Sequence, residues 1–322
     1  MFGVMLSHTD LGRVTSYMIY FRPFFLVLFF LVSGMLYKPK SIKEDFLRVL
    51  RCLIFPLFFF TVLNIVLDTG FLKALTNGGM WNYVKVPLGK FLLGDTYWFL
   101  SCLAVVQILY SLIYHLFGLE NRKDALLYIG IVALLSIFFL ERESGGRLPW
   151  NADTAIYAAG YFMLGAYLTH KGIKSWEMPS SMKWWALGLF ALYIGLVYYL
   201  DFKSFGLFKD MHHNRYGAPL LALAVSVFSC AVMMLLAMNF NLGSYTRLLG
   251  QYSLVVYCCQ GYCFFIVRKL FSLLHLQGLE THPDIYFFVF CFISGCLAIA
   301  AGYLFDRFLP EAVGKKRIKH HD

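Results

Sequence analysis

The chain has 322 residues, of which 60% are hydrophobic, 19% are aromatic and only 14% are charged, and its formal net charge is +10. A soluble globular domain carries about 25% charged residues, so this composition excludes an ordinary soluble enzyme and indicates a protein that uses lipid as its solvent. The positive charge does not call for nucleic acid as a partner, because the sequence has no soluble basic stretch with interleaved aromatic residues.

Long apolar runs predict the fold. A helix needs about 20 mainly apolar residues to cross the hydrocarbon core of a bilayer. The sequence predicts nine such spans, at 17–37, 46–67, 97–118, 124–141, 154–170, 184–201, 217–239, 252–272 and 284–306. Residues 1–8 are typical of the end of one more apolar helix. We therefore expect an all-α polytopic membrane protein with about ten transmembrane helices in one domain, residues 1–322, with a disordered basic tail at about 312–322.

The first of these spans is predicted to be truncated. Eight residues rising 1.5 Å each cover only about 12 Å of a core that is about 30 Å thick. We expect an assigned start that is too late or a truncated sequence, with a mainly apolar stretch in frame upstream of Met1.

Lysine and arginine in the loops predict the orientation, because they are enriched on the cytoplasmic side. The loop 38–51 and the segment that follows the last span hold five each. We therefore expect a cytoplasmic C-terminus and, with an even number of spans, a cytoplasmic N-terminus. His8 would then lie at the outer end of the first span.

His8 and Arg22 are ionisable residues at or inside apolar runs, where such groups are costly and often functional. Both would lie near the outer ends of neighbouring spans and could meet. A histidine can take a proton from a hydroxyl group, and an arginine can stabilise an oxyanion or hold an anionic group. The alternative remains open that His8 is interfacial and that Arg22 extends to lipid headgroups.

Polar and aromatic side chains at the outer ends of other spans are candidates for substrate binding: Asp95, Trp98, Asn214, Arg215 and Tyr216. The aromatic residues are also those expected at a membrane interface. The outer loop "ERESGGRLPWNADTA" could grip sugar groups or could simply be solvated. The adjacent His212 and His213 would point to different helix faces, which does not favour a two-ligand metal site.

The basic loop comprises residues 38–51, and its lysines and arginines could attract anionic groups: Lys38, Lys40, Lys43, Arg48 and Arg51. The preference for positive charge on the cytoplasmic side accounts for the same residues. Just before this loop, Ser33 and Gly34 predict a site of close helix packing. The eight cysteines lie almost wholly in apolar runs and behave as small hydrophobic residues, so we predict no metal site.

Several short segments, in order, resemble bacterial acyltransferase family 3. "FGVMLSHT" is similar to the end of that family's first span, and "RPFFLVLFFLVSGMLYK" is similar to its second. "YWFLSCL", "YFMLGAYL" and "LGQYSLVVYCCQGY" resemble further elements along the chain. The likeness extends over nearly the whole sequence and includes the plan of ten spans.

The resemblance implies an integral-membrane enzyme of the bacterial inner membrane that acylates the sugar hydroxyls of surface or exported polysaccharides. Its donor would be acyl-coenzyme A, usually acetyl-coenzyme A, as a substrate and not a bound cofactor, and the basic loop could attract the phosphates of this coenzyme. Its partners would be membrane lipid, a glycan or lipid-linked sugar, and proteins of glycan assembly. The family's central histidine would correspond to His8.

Two positions differ from the family pattern. A basic residue usual eleven positions before the histidine would fall four residues upstream of Met1. Many members carry a histidine where this chain has Gln260, and glutamine cannot act as a general base. Two alternatives therefore remain open beside the enzyme: a transporter or flippase for lipid-linked glycan, and an inactive truncated member of the family.

Overall fold

A computed structural model describes residues 1–8, 14–68, 70, 76, 80–140, 148–173, 179, 181–203, 211–241, 243–275 and 283–315. Its regular elements are helices, as the sequence predicts. The first group is α1 (Phe2–Ser7), α2 (Val14–Phe21), α3 (Phe25–Leu36), α4 (Ile42–Val49), α5 (Phe55–Leu67), α6 (Met80–Leu93), α7 (Trp98–Leu116), α8 (Ala125–Leu135) and α9 (Ile137–Leu140). The second group is α10 (Ala152–His170), α11 (Met182–Phe202), α12 (Pro219–Asn239), α13 (Gly243–Gln251), α14 (Ser253–Leu273) and α15 (Pro283–Phe308).

Seven helical stretches in the described part of the chain are long and apolar enough to cross a membrane. They are Met18–Leu36, Ile42–Leu67, Tyr83–Leu116, Met182–Asp201, Pro219–Asn239, Ser253–Leu273 and Ile285–Phe308. Each overlaps a predicted span. The chain is therefore an all-helical, multi-pass membrane protein, and the full count of about ten spans stays a prediction.

Two of the predicted spans have a different character from the seven. The span at 124–141 is a shorter apolar helix, Ala125–Leu140, in which a turn at Ser136 separates α8 from α9. The span at 154–170 lies in α10, which begins with polar residues and is rich in buried alanine and glycine. Because α10 is enclosed by other helices, it does not need a strongly apolar surface.

The helices form two compact units. The first unit comprises Met1–Leu26, Met178–Phe205 and Ala224–Val313, and the second comprises Val27–Glu177, Gly206–Leu223 and Gly314–Asp322.

The core of the first unit lies along α14 and α15, with α1 in contact with both. Aromatic rings join the two long helices: the ring centroids of Phe264 and Phe290 are 5.5 Å apart, and those of Phe271 and Tyr286 are also 5.5 Å apart. Met5 of α1 is fully buried in the same cluster. This packing fixes the short α1 and therefore the residue that follows it, His8.

The second unit is organised around α10, which contacts α7 and α8. Where α3 crosses α10, each helix presents a glycine to the other's backbone. A Cβ on Gly34 would overlap the carbonyl oxygen of Phe162, and one on Gly165 would overlap that of Leu31. Thr169 seals the crossing by donating a hydrogen bond of 2.9 Å from its hydroxyl to the carbonyl of Met35. The close packing predicted at Gly34 is thus confirmed.

One irregular helical turn lies at the C-terminal end of the basic loop. Residues Leu50–Ile54 form a π-helical turn between α4 and α5. The chain near its C-terminus reaches this turn, because the Cys52 thiol lies 3.4 Å from the carbonyl oxygen of Gly314. Gly314 has a positive φ of 76°, which favours glycine, and a Cβ there would come within 2.7 Å of the Cys52 Cα.

The glycine crossing gives a first prediction. We expect Gly34→Ala to destabilise the protein by about 1–3 kcal/mol, as overpacking does elsewhere, because α3 and α10 must separate to admit the methyl group. The control is Gly195→Ala on α11, since a Cβ at Gly195 meets nothing within 4 Å. Thermal unfolding in detergent measures both, and equal melting temperatures would contradict the crossing.

Candidate functional site

His8 lies directly at the end of α1, in the first unit. Its backbone N–H donates to the carbonyl of Met5 over 3.2 Å, so the residue continues the last helical turn. The adjacent Ser7 hydroxyl donates to the carbonyl of Val4 over 2.7 Å and stabilises the same turn. The His8 side chain is exposed. A histidine with these properties is accessible to a substrate while its backbone is held.

Arg22 follows α2 in the same unit and is half-buried. Its N–H donates to the carbonyl of Met18 over 2.9 Å. The preceding residue, Phe21, packs against Gly3 of α1, together with Phe25. Gly3 precedes His8 by five residues, about 7.5 Å along a helix axis. The described contacts therefore place α2 beside α1, and a direct meeting of the His8 and Arg22 side chains stays a prediction.

Four buried polar residues form a network at the start of α10, which we call the Asn214 network: Asp153, Thr154, Asn214 and Tyr216. The Asn214 amide nitrogen donates to Asp153 Oδ2 over 2.9 Å. The Asn214 amide oxygen accepts from the hydroxyls of Thr154 at 3.1 Å and Tyr216 at 3.0 Å. Asn214 and Tyr216, which were predicted to bind substrate, thus bind protein groups in the interior.

The backbone of this region adopts unusual conformations. Asn214 has a φ of 53°, and Trp150 and Asn151 have φ values of 61° and 54°. Non-glycine residues rarely adopt left-handed conformations, which persist where surrounding interactions hold them and which concentrate at functional sites. The hydrogen bonds of the Asn214 network supply that restraint for Asn214, whereas the neighbouring Arg215 is exposed.

Trp98, the first residue of α7, stacks on His212. Their ring centroids lie 4.6 Å apart with an interplanar angle of 21°. Trp98 is half-buried, as is Asp95 in the turn before it, where the Asp95 N–H donates to the carbonyl of Lys90 over 2.8 Å. The structure thus joins Trp98 to the segment that carries Asn214, Arg215 and Tyr216, within one unit.

The basic loop surrounds a buried carboxylate. Asp45 is only 1% exposed and accepts hydrogen bonds from Arg48 Nη2 at 2.6 Å, the Ser111 hydroxyl at 2.8 Å and the N–H of Lys40 at 3.2 Å. Arg48 also donates from Nη1 to the carbonyl of Lys38 over 2.8 Å. Its guanidinium carbon lies 3.9 Å above the centre of the Tyr37 ring.

Of the five basic residues predicted to attract a coenzyme, Arg48 is therefore engaged by the protein itself. The other four are exposed: Lys38, Lys40, Lys43 and Arg51. Tyr37 is packed against Tyr110 and Phe162 as well as Arg48. Burial raises the pKa of Tyr37 to about 12, although the neighbouring Arg48 acts in the opposite direction.

Among the described residues, no group of three or more His, Cys, Asp or Glu side chains is placed to hold a metal ion. The chemistry that these sites offer comes from a histidine, arginines, lysines and buried hydrogen-bonding groups.

A comparison with protein families shows the family to which the chain belongs. The family model described as an acyltransferase domain, acyltransferase family 3, matches residues 1–304. The chain belongs to acyltransferase family 3. Comparisons with curated proteins and with solved structures found no match. The match includes every helix from α1 to α14 and most of α15, and therefore both units.

Membership of acyltransferase family 3 makes Gln260 informative, because the resemblance expects a histidine at this position in many members. Gln260 lies on the buried face of α14 and is 7% exposed. Its side-chain oxygen has no hydrogen-bond partner among the described residues. A glutamine amide can donate and accept hydrogen bonds, but it cannot exchange a proton near neutral pH.

Sequence reasoning missed the acidic residues that organise both polar regions of this acyltransferase family 3 protein. In the loop 38–51 only the basic residues were singled out, although Asp45 falls on one helical face with Val49 and Leu53 and all three are buried. That spacing of four was a usable signal. Asp153 was placed in a solvated or sugar-binding loop, and no signal in the sequence pairs it with Asn214.

The Asn214 network gives a second prediction. Asn214→Ala should destabilise the protein by about 1–3 kcal/mol, because it leaves Asp153 without its donor and puts a residue with no polar side chain in a left-handed conformation. The neighbouring exposed change Arg215→Ala should alter stability by less than about 0.5 kcal/mol. Chemical or thermal unfolding compares the two, and equal losses would show that the network contributes nothing.

Proposed function

We propose that this membrane acyltransferase moves an acyl group, in the first instance acetyl, from acyl-coenzyme A to a sugar hydroxyl of a cell-surface or exported polysaccharide. The observation that carries the proposal is the family match over residues 1–304, with His8 at the position that the family resemblance assigns to transfer. The exposed His8 on a packed α1 supports it.

The reaction is proposed as direct transfer. His8 takes the proton from the acceptor hydroxyl while the hydroxyl oxygen attacks the thioester carbonyl. The carbonyl oxygen becomes negatively charged, and Arg22 stabilises that charge or orients the donor. When the intermediate collapses, the carbon–sulfur bond breaks and the new ester bond remains. The thiolate of coenzyme A leaves and takes the proton back from His8.

The donor is proposed to bind at the basic loop and the acceptor near Trp98. Helix α7 carries Trp98 at its first residue and His115 near its last, about 25 Å apart along the axis, which is close to the thickness of a hydrocarbon core. The basic loop contacts the His115 end of α7, because Ser111 and His115 both face Asp45. This spacing supports a donor on one membrane face and an acceptor on the other.

The proposed setting is the bacterial inner membrane with a cytoplasmic C-terminus. The plan of about ten spans adds α1, α8 with α9, and α10 to the seven stretches described above. The partners are membrane lipid, acyl-coenzyme A and a glycan or lipid-linked sugar, with proteins of glycan assembly nearby. Exposed tryptophans such as Trp81, Trp184 and Trp185 suit contact with lipid headgroups.

The third prediction concerns His8. His8→Ala should lower acyl transfer by about 10²–10⁴-fold, the usual contribution of a general base, while the melting temperature stays near that of the wild type. Radiolabelled acetyl-coenzyme A and purified glycan acceptor measure the transfer. The control is His275→Asn, since His275 is exposed and has a φ of 51°, which asparagine tolerates.

Full transfer by His8→Ala would remove His8 from the mechanism. The wild-type protein could instead neither bind nor consume acyl-coenzyme A, but move lipid-linked glycan across vesicle membranes. That result would show that the protein is a flippase and not a transferase.

The fourth prediction concerns Arg22. Arg22→Lys should lower kcat by about tenfold or more, because a compact ammonium cannot reproduce the planar guanidinium fork. Wild-type kcat in the lysine variant would show that only positive charge is needed there, as for an interfacial residue.

A further inference from the structure

We propose that Asp45 and Arg48 are positioning residues that fix the basic loop in a shape able to receive the coenzyme. Together with Tyr37 they form what we call the Asp45 clasp. In this view Arg48 is not a phosphate ligand, and the phosphates meet the exposed Lys38, Lys40, Lys43 and Arg51. The inference rests on the proposed function, in which the basic loop receives acyl-coenzyme A.

The Asp45 carboxylate joins three segments of the chain. Asp45 stands in the first turn of α4, and its two oxygens accept from three different segments: the backbone N–H of Lys40 in the loop, Arg48 one turn later and Ser111 on α7. A buried carboxylate with one donor removed is costly, so all three segments are held together. His115 Nε2 lies 3.9 Å from the same carboxylate.

The Arg48 guanidinium is held by contacts with three protein groups. Its Nη2 is bonded to Asp45 and its Nη1 to the carbonyl of Lys38, and one face of its guanidinium covers the Tyr37 ring. The side chain is 25% exposed. Of the five N–H groups of the guanidinium, one on each terminal nitrogen donates to a protein group and the Nε–H is buried, so protein groups hold Arg48 in place before any phosphate binds.

The clasp also fixes the backbone that carries Lys38 and Lys40. The clasp holds the backbone of Lys38 at its carbonyl and that of Lys40 at its N–H, so the short segment between them is fixed at both ends. The following Ser41 starts α4 with a capping box, in which its hydroxyl accepts from the Glu44 N–H. Lys38 and Lys40 therefore extend from a rigid backbone, and rigid presentation reduces the entropy lost on binding.

The direction in which one substitution changes the affinity for coenzyme A separates this proposal from simple charge attraction. Asp45 is a negative charge inside a basic loop. If the loop attracted phosphates only through its net charge, removing that charge would strengthen binding of coenzyme A. If Asp45 positions the loop, removing its charge releases Arg48 and the Lys40 backbone, and binding weakens.

The experiment uses the purified full chain in lipid nanodiscs with coenzyme A as the probe, titrated calorimetrically. We expect Asp45→Asn and Arg48→Ala each to weaken binding by about 5- to 30-fold, the effect of losing hydrogen bonds to a charged group. Arg48→Lys should fail to restore binding, because lysine keeps the charge but not the fork. Arg51→Ala, which removes one exposed charge, should weaken binding less and mainly at low salt.

Two further readouts separate positioning from general damage. In Asp45→Asn, the KM for acyl-coenzyme A should rise while kcat at saturating donor and the KM for the acceptor stay near wild-type values. Trypsin should cleave the variant after Lys40, the site followed by Ser41, faster than the wild type, without coenzyme present.

Tighter or unchanged binding in Asp45→Asn, or wild-type binding in Arg48→Lys, would overturn the clasp while leaving the proposed function intact. Wild-type protein that does not bind coenzyme A at all would overturn both.

Discussion

A polar group inside a membrane protein must find its partner within the protein, because lipid offers none, and the organisation of the second unit follows from this constraint. Asp45 is satisfied by a backbone N–H, an arginine and a serine, while Asn214 joins Asp153, Thr154 and Tyr216. Each group of bonds joins segments that are far apart in sequence. The buried hydrogen bonds therefore hold the apolar helices of this unit together.

The same constraint explains why the polar residues of α10 lie inside the protein. Its buried residues include Asp153, Thr154, Tyr157 and Gly160, and Tyr157 shares a hydrogen bond of 2.7 Å with the hydroxyl of Tyr161. A helix that touches lipid could not carry these groups without a large cost. In the second unit α10 has neighbours on its sides, and small residues let those neighbours approach closely.

The sequence predicted what depends on apolar length and residue type. The seven long apolar stretches, the close crossing at Gly34 and the family all followed from patterns that local sequence records. It could not predict pairings that depend on helix placement. Asp45 meets Ser111 across a large gap in sequence, and the stacking of Trp98 on His212 depends on two turns whose path no periodicity specifies. Arg48 was predicted to be a free cation for a different reason, because the local spacing of three residues that lets it pair with Asp45 was overlooked.

The π-helical turn at Leu50–Ile54 sets the phase of the long helical segment around it. Asp45, Val49, Leu53, Leu57 and Thr61 are all buried, although Thr61 follows Asp45 by sixteen residues. In a regular α-helix, about 100° per residue would rotate Thr61 by about 160° from Asp45, onto nearly the opposite face. The wider turn compensates for much of that rotation. The number of residues between the basic loop and α5 is consequently under a geometric constraint of its own. A sequence one residue shorter there could keep every side chain named above and still turn Asp45 out of the interior.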